Sequence, residues 1–331
     1  MNKKVILLLA TYQGAQFLRE QLNSLIDQTW IHWELLARDD ASEDATVQIL
    51  LEFAAKDHRI TVVQDAPGNL GCCANFGFLL ELSLTMLPGY VMFCDQDDVW
   101  HPDKIEKTMA VMEQTEQRCA EMMPVLIHTD LQIVDKELTL IATSLEQNAK
   151  IKPHNSKPLN QLLVQNYIYG CTMMLNASLL KAVVPVPKEA EGHDYWVALV
   201  AASLGEIVYV PEQTILYRQH SSNVTGIKEG SLMNRLFRNF TKQGWSKTNK
   251  TVDHRINQAA ALLKRLNSQT SPQNRALLAD YLSAASRGGI NAVITAKRYG
   301  IIRQGFIKTM VLYISLTRKH KDIDWMKVDH I

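Results

Sequence analysis

Four times in the first hundred residues, an apolar run rich in branched side chains ends on polar residues and gives way to a segment of helical period. The runs are KVILLLAT (4–11), WELLARDD (33–40), RITVVQD (59–65) and YVMFCD (90–95). Continuous apolar runs of this length fit strands buried on both faces of a parallel sheet. Between them, 15–27 places Phe17, Leu18, Leu22, Leu25 and Ile26 on one side of a helix. Ser42 is expected to cap a second helix, with Glu43 and Asp44 in its first turn and an end near Lys56. PGNLG (67–71) reads as a turn before a helix from Cys72 to Leu84, and Pro102 as the first residue of a helix reaching Glu116. Strands alternating with helices through short connections predict a sheet covered on both faces. Ligands of such sheets bind beyond the carboxyl ends of the strands. Thr11, Tyr12, Asp39, Asp40, Asp95, Asp97 and Asp98 all gather at those ends.

Past residue 120 the order changes. PVLIHTDLQIVD (124–135) and YGCTMMLN (169–176) read as strands, and 193–205 as a helix stopped by Gly205. EIVYV and TILYRQH read as short strands, and 253–267, 273–286 and 301–317 as helices. A chain of 331 residues suggests two units. The expected boundaries are 1–228 for a catalytic domain, divided into a nucleotide half at 1–120 and an acceptor half at 121–228, and 229–331 for a helical extension. Charge divides in the same way. The overall formal charge is +1, but residues 231–331 carry +13 and the remainder −12. A basic tail of this kind suggests an anionic partner.

Five cysteines, an odd number with no CxxC pair, fit reduced thiols in the cytoplasm. The apolar stretch 5–10 is short for a secretory signal. No run approaches the roughly 18 apolar residues that a membrane-spanning helix needs.

The segment FCDQDDVW (93–100) packs three carboxylates into four positions at the end of the fourth run. Their repulsion can be offset by a proton shared within the group or by a hard divalent cation. Mg²⁺ and Mn²⁺ take oxygen ligands, typically one or two carboxylates plus substrate phosphates. In an extended backbone Asp95 and Asp97 would face the same way, while Asp98 would point away, to cap the helix or to hold a backbone loop. TYQG after the first run is not GxGxxG, which argues against a dinucleotide-binding dehydrogenase.

Taken in order, LLATYQG, RDDASEDAT, GNLG, FCDQDDVWHPDKI and GHDYWVAL resemble glycosyltransferase family 2. The resemblance runs over about residues 3–225. It implies the α/β GT-A fold, with a mostly parallel central sheet flanked by helices, and a nucleotide-diphospho-sugar donor. GHDYW and LYRQHSSNVTG are most similar to bacterial rhamnosyltransferases of cell-wall or O-antigen polysaccharide synthesis. The roles implied are specific. Tyr12 would stack on the base, Asp40 would accept the base imide N–H, and Asp95 would lie by the ribose and the metal. Thr11 and Arg218 would complete the nucleotide-sugar site, with Asn69 and Gly71 shaping a loop at the nucleotide. Asp97 and His220 would join Asp95 on a bound Mg²⁺ or Mn²⁺. Asp194 would be the general base, taking the proton of an acceptor hydroxyl in a displacement that inverts the anomeric carbon; its plainer role is to cap the helix behind it. His193 stands where the family commonly has an acidic residue. His193, Asp130, Trp100 and Trp196 are the candidate acceptor contacts, although aromatics beside apolar runs usually belong to a core.

The expected acceptor is a lipid-linked saccharide, with the enzyme in the cytoplasm and peripheral at the inner face of the membrane. The tail stretches 234–245 and 297–321 mix apolar and basic residues. They fit helices packed on the catalytic domain, an interfacial surface for anionic lipid, or a homodimer contact. No nucleic-acid motif is present. The alternatives in function are another donor, such as UDP-glucose, UDP-galactose or UDP-GlcNAc, and a non-catalytic sugar-nucleotide-binding assembly protein. A nucleotidyltransferase would need a Gly-rich, basic first loop, which the chain lacks.

Overall fold

The structure, a computed structural model, describes residues 4–64, 68–149, 157–220 and 242–320. The 228/229 boundary, the SSNVTG half of LYRQHSSNVTG and most of 234–245 lie outside them.

One sheet organises the N-terminal unit. Its strands are β1 (Val5–Thr11), β2 (Trp33–Asp39), β3 (Ile60–Val62), β4 (Tyr90–Cys94), β5 (Val99–Trp100), β6 (Val125–Val134), β7 (Leu140–Ala142), β8 (Met173–Asn176) and β9 (Glu206–Arg218). They lie in the order β3-β2-β1-β4-β8-β6-β9-β5, with β7 on β6. The first four are parallel, as the apolar runs predict. β8 runs antiparallel to both β4 and β6, while β9 runs parallel to β6. Val5 to Leu9 and Tyr90 to Cys94 are wholly or almost wholly buried, as two-sided cover requires.

Helices α1 (Leu18–Ile26), α2 (Thr46–Ala54), α3 (Cys72–Leu84) and α4 (Lys104–Arg118) connect these strands. After α5 (Leu145–Ala149) and α6 (Pro158–Leu162) come α7 (Ala177–Val183) and α8 (His193–Leu204). α3 has the expected bounds, whereas α2 starts four residues beyond Ser42. Asp44 accepts the Thr46 N–H at 3.0 Å, so the loop 40–45 stays out of the helix. EIVYV and TILYRQH form one strand, β9, because β6 absorbs the misfit in register shifts around Asp130.

The chain divides into two compact units. One comprises Met1–Ile151, Ile168–Ala201 and Gly205–Asn223, the other Lys152–Tyr167, Ala202–Leu204 and Val224–Ile331. In the second unit, helices Lys242–Leu266, Pro272–Arg287, Gly289–Arg298 and Phe306–Leu316 pack in sequence, and the first also meets the last. Their buried side includes Ile256, Leu263, Leu278, Leu282, Val293 and Leu312. The expected helix 301–317 begins only at Phe306, after Gly300 and Gly305, both at positive φ. No helix among the described residues is long and apolar enough to cross a membrane.

Gly205 ends α8 and opens β9. A Cβ there would sit 1.8 Å from the Pro124 carbonyl oxygen, which accepts the Glu206 N–H at 3.0 Å and starts the β6–β9 pairing. The obstruction is backbone, so no side-chain rotation relieves it. Gly205→Ala is expected to cost about 2–4 kcal/mol, read as a lower midpoint in urea unfolding. An unchanged midpoint would contradict this packing.

Candidate active site

The strand order 3-2-1-4 reverses direction between β1 and β4, and the crevice of such a sheet opens there. Gln96 bridges the two strand ends. Its amide oxygen accepts the Tyr12 N–H at 2.8 Å, and its amide nitrogen donates to the Tyr12 carbonyl at 2.9 Å. Gly14 makes room for it, since a Cβ there would lie 2.2 Å from the Gln96 amide oxygen.

The next three N–H groups are also taken by side chains: Gln13 by Ser42 (2.8 Å), Gly14 by Thr46 (2.8 Å) and Ala15 by Asp44 (3.1 Å). Four consecutive amides of the first loop are therefore committed internally. This loop offers no nest of free amides to a phosphate, in keeping with the lack of GxGxxG. The Tyr12 ring itself is half exposed.

Several residues expected at the nucleotide instead build the loops. Thr11 is buried and donates to Asp39 at 2.9 Å. Asp40, expected to accept from a base, is buried against Arg38 (2.8 Å) and accepts the Leu70 and Gly71 N–H groups at 2.7 and 2.8 Å. Asn69 donates to the Asp40 carbonyl at 3.0 Å. Together these bonds fix the turn that enters α3, with Gly71 at φ 79° as its cap.

Arg218, expected on a phosphate, is 1% exposed. Its Nε donates to the Asp97 carbonyl at 2.9 Å, its other nitrogens reach Glu20 and the Lys136 carbonyl, and Phe17 covers its plane. Pairing of Val99 with Leu216 brings β9 alongside this loop. Asp98 accepts the Arg218 N–H at 3.2 Å, the backbone-holding role expected of it.

The acceptor set changes too. His193 is buried, stacked on Phe76 at 4.0 Å and edge-on to Phe93 at 4.7 Å. Burial pushes its pKa down to about 3, which makes it a neutral core residue. Trp100 and Trp196 are core residues; the indole N–H of Trp196 donates to the Val183 carbonyl at 2.9 Å. Asp130 is buried, accepting from Gln213 at 3.0 Å and from the first amides of α5.

The remaining expected residues stay together. Segment 95–98 is a turn rather than extended chain, because Gln96 and Arg218 hold it from both sides. Asp97 meets the His220 Nε2 at 2.8 Å, and the His220 ring packs 4.9 Å from Phe17. Asp95 is partly exposed, and its pKa is pushed up to about 7 by burial, then by Asp97, then by Asp194. Asp194 stands in the first turn of α8 and accepts the Tyr195 N–H at 2.7 Å. Gly192 admits it, since a Cβ there would meet its carboxylate at 2.6 Å. Three carboxylates from two elements thus share a field, with the His220 ring on one of them.

Such a donor set, two carboxylates and an imidazole with a third carboxylate nearby, fits a hard divalent cation. Cys171, to which the sequence reading assigned no part in the site, also approaches. A ligand atom each of Asp95, Asp98 and Cys171 lie within 4.8 Å of one another. Burial holds that thiol and the Asp98 carboxyl well above their ordinary pKa values. The Cys171 thiol therefore keeps its proton at neutral pH, and a thiol is a poor ligand for Mg²⁺ or Mn²⁺. Asp97 and His220, which meet at 2.8 Å, and Asp95 offer harder donors, but among the described residues their ligand atoms do not come together within 4.8 Å. Burial, with the Asp194 charge adding to it, raises the Cys73 thiol to about 11.

Residues 7–179 match the family described as Glycosyl transferase family 2. The chain belongs to glycosyl transferase family 2. The matched span holds Tyr12 and the DQDD turn but ends before Asp194 and His220. The putative teichuronic acid biosynthesis glycosyltransferase TuaG of Bacillus subtilis is 34% identical over 110 residues, 33% of this chain and 41% of its own. The dTDP-rhamnosyl transferase RfbG of Shigella flexneri is 24% identical over 229 residues, 66% of this chain and 73% of its own. Relatives are matched over 14% to 97% of their length. Among solved structures, the mannosyltransferase PcManGT of Pyrobaculum calidifontis, in complex with GDP-Man and Mn²⁺, superposes with a TM-score of 0.51 at 13% identity. That superposition covers 90% of this chain and 74% of that one. This family 2 enzyme therefore has the GT-A fold.

The raised Asp95 carboxyl has a stability consequence. Between its ordinary value of 3.8 and about 7, the folded state binds this proton more tightly than the unfolded state does. Its contribution to stability is therefore present at low pH and lost as pH rises through 7. In EDTA, Asp95→Asn is expected to raise Tm over the parent protein at pH 8 by about 2 °C or more and to change it little at pH 5. Mn²⁺ should stabilise the parent at pH 8 and leave the variant behind. Equal Tm differences at both pH values would contradict the carboxylate coupling.

Proposed function

We propose that this family 2 glycosyltransferase is an inverting, metal-dependent enzyme that moves rhamnose from dTDP-rhamnose to a lipid-linked saccharide in the assembly of a bacterial surface polysaccharide. One observation carries the catalytic part: the Asp95, Asp97 and Asp194 carboxylates share one field at the switch point, Asp95 and Asp97 on the turn after β4 and Asp194 on α8. The rhamnosyl donor is supported by the GHDYW resemblance and by the likeness to RfbG. The surface-polysaccharide setting is supported by TuaG. A cytoplasmic location is supported by that setting and by five cysteines outside any disulfide.

In this reading Asp95, Asp97 and His220 hold the cation, Mg²⁺ or Mn²⁺. The bound cation would offset diphosphate charge and improve the leaving group. The exposed Tyr12 ring receives the base, held in place by Gln96. Asp194 accepts the proton of the acceptor hydroxyl as that oxygen attacks the anomeric carbon and the nucleoside diphosphate departs from the opposite face. Arg218, Asp40, Thr11, Asn69 and Gly71 act one layer back, by holding the loops in shape.

The test is release of nucleoside diphosphate from a donor panel that includes dTDP-rhamnose and UDP-sugars, with lipid-linked acceptor, in Mn²⁺, in Mg²⁺ and in EDTA. Turnover is expected with dTDP-rhamnose and with either metal, and none in EDTA. Asp194→Asn is expected to lower kcat about 10²- to 10⁴-fold while leaving donor affinity by calorimetry nearly unchanged. Normal turnover by that variant would remove Asp194 as the base. Turnover with only a UDP-sugar would correct the donor. Donor binding without turnover on any acceptor would favour the non-catalytic assembly protein.

A further inference from the structure

The second unit carries an apolar surface that its own helices do not cover. Helix Gly289–Arg298 buries Ala292, Val293 and Ala296 and exposes Ile290 and Ile294, one turn apart. Helix Phe306–Leu316 buries Val311, Leu312 and Leu316 and exposes Phe306, Met310 and Ile314, again at turn spacing. Ile302, in the link between them, is exposed as well. Phe306 at 80% and Ile290 at 67% show more of themselves to solvent than folding would leave if packing within the unit were their only use. Stripes at i, i+4 and i+8 are single helix faces, and these two helices pack against each other.

Charge selects what these faces meet. From Gly288 to His320 there are six Lys and Arg residues and no Asp or Glu. Over 242–320 the count is 14 basic to 2 acidic. Both acidic residues are engaged: Asp253 by Arg318 (2.8 Å) and His320, and Asp280 by the Tyr299 hydroxyl (2.6 Å). Lys297, Arg298 and Lys308 are exposed beside the apolar stripes. A second copy of the chain would bring the same positive charge to the contact, which repels. The helices have 10 and 11 residues, about half of what spans a bilayer. Short helices with an apolar face and a basic border lie in the headgroup region of anionic bilayers.

We propose that Ile290, Ile294, Phe306, Met310 and Ile314, bordered by Lys297, Arg298 and Lys308, form a docking face for an anionic lipid bilayer. The inference goes beyond the glycosyl-transfer reading and is measured without turnover, so either can fail alone. The test is co-sedimentation of the full chain with vesicles of phosphatidylcholine alone and with phosphatidylglycerol added. Binding is expected to be at least about tenfold stronger to the anionic vesicles and to weaken sharply in about 1 M salt. Phe306→Ser with Met310→Ser, and separately Arg298→Glu with Lys308→Glu, should each lower it about tenfold or more. Because these side chains lie at the surface, Tm should hold, and circular dichroism checks the fold of each variant. Equal binding to both vesicle types, binding to neither, or anionic binding untouched by both double variants would overturn the proposal. So would self-association by light scattering that Phe306→Ser abolishes in the absence of vesicle binding.

Discussion

Carboxylate repulsion at the end of β4 is the constraint around which the first unit is arranged. Asp95, Asp97 and Asp98 leave the strand within four residues, and Asp194 adds a fourth carboxylate from α8. A loop with that much like charge would splay unless held, and two neutral or cationic side chains hold it. Gln96 ties its front to the end of β1 through paired amide bonds. Arg218 ties its back to α1 through Glu20 and to the Lys136 carbonyl, while its own N–H occupies Asp98. Asp95, Asp97 and Asp194 remain partly exposed beside this loop, with the His220 ring on Asp97. A divalent cation bridging to a diphosphate is the chemical complement of that geometry.

The same economy explains why the chain needs no glycine-rich phosphate loop. The amides of residues 12–15 are closed off by Gln96, Ser42, Thr46 and Asp44. The left-handed residues Gln13 and Ala41 sit in the loops after β1 and β2, where side-chain bonds can over-determine a strained backbone. In the proposed function anion recognition accordingly falls to a metal, and base recognition to the Tyr12 ring, whose backbone is clamped and which is half exposed.

Much of this was legible in the sequence, because apolar runs and polar strand ends are local signals. β1, β2, β4 and α3 fall within a residue or two of where their patterns place them. What did not read out depends on partners far along the chain. Arg218 and Asp40 are charged residues beside a site, and sequence cannot say whether such a group faces ligand or loop; here Asp97, Glu20, Arg38 and two amides claim them. His193 looks like a ligand contact until Phe76 and Phe93 close around it. Gln96 left little trace, because the extended backbone expected at 95–97 gives way to a turn. Cys171 had none, since its approach to Asp95 and Asp98 arises only from the pairing of β8 with β4.

In the proposed function Asp95, Asp97 and His220, and not the neighbouring Asp98–Cys171 group, would receive a divalent cation when a nucleoside diphosphate is present. Crystals grown with Mn²⁺ and dTDP, measured for anomalous scattering at the manganese edge, test it most directly. One strong peak is expected within ligand distance of Asp97 and His220 and touching the diphosphate. A peak at Cys171, or a diphosphate bound at the switch point with no metal beside it, would contradict it.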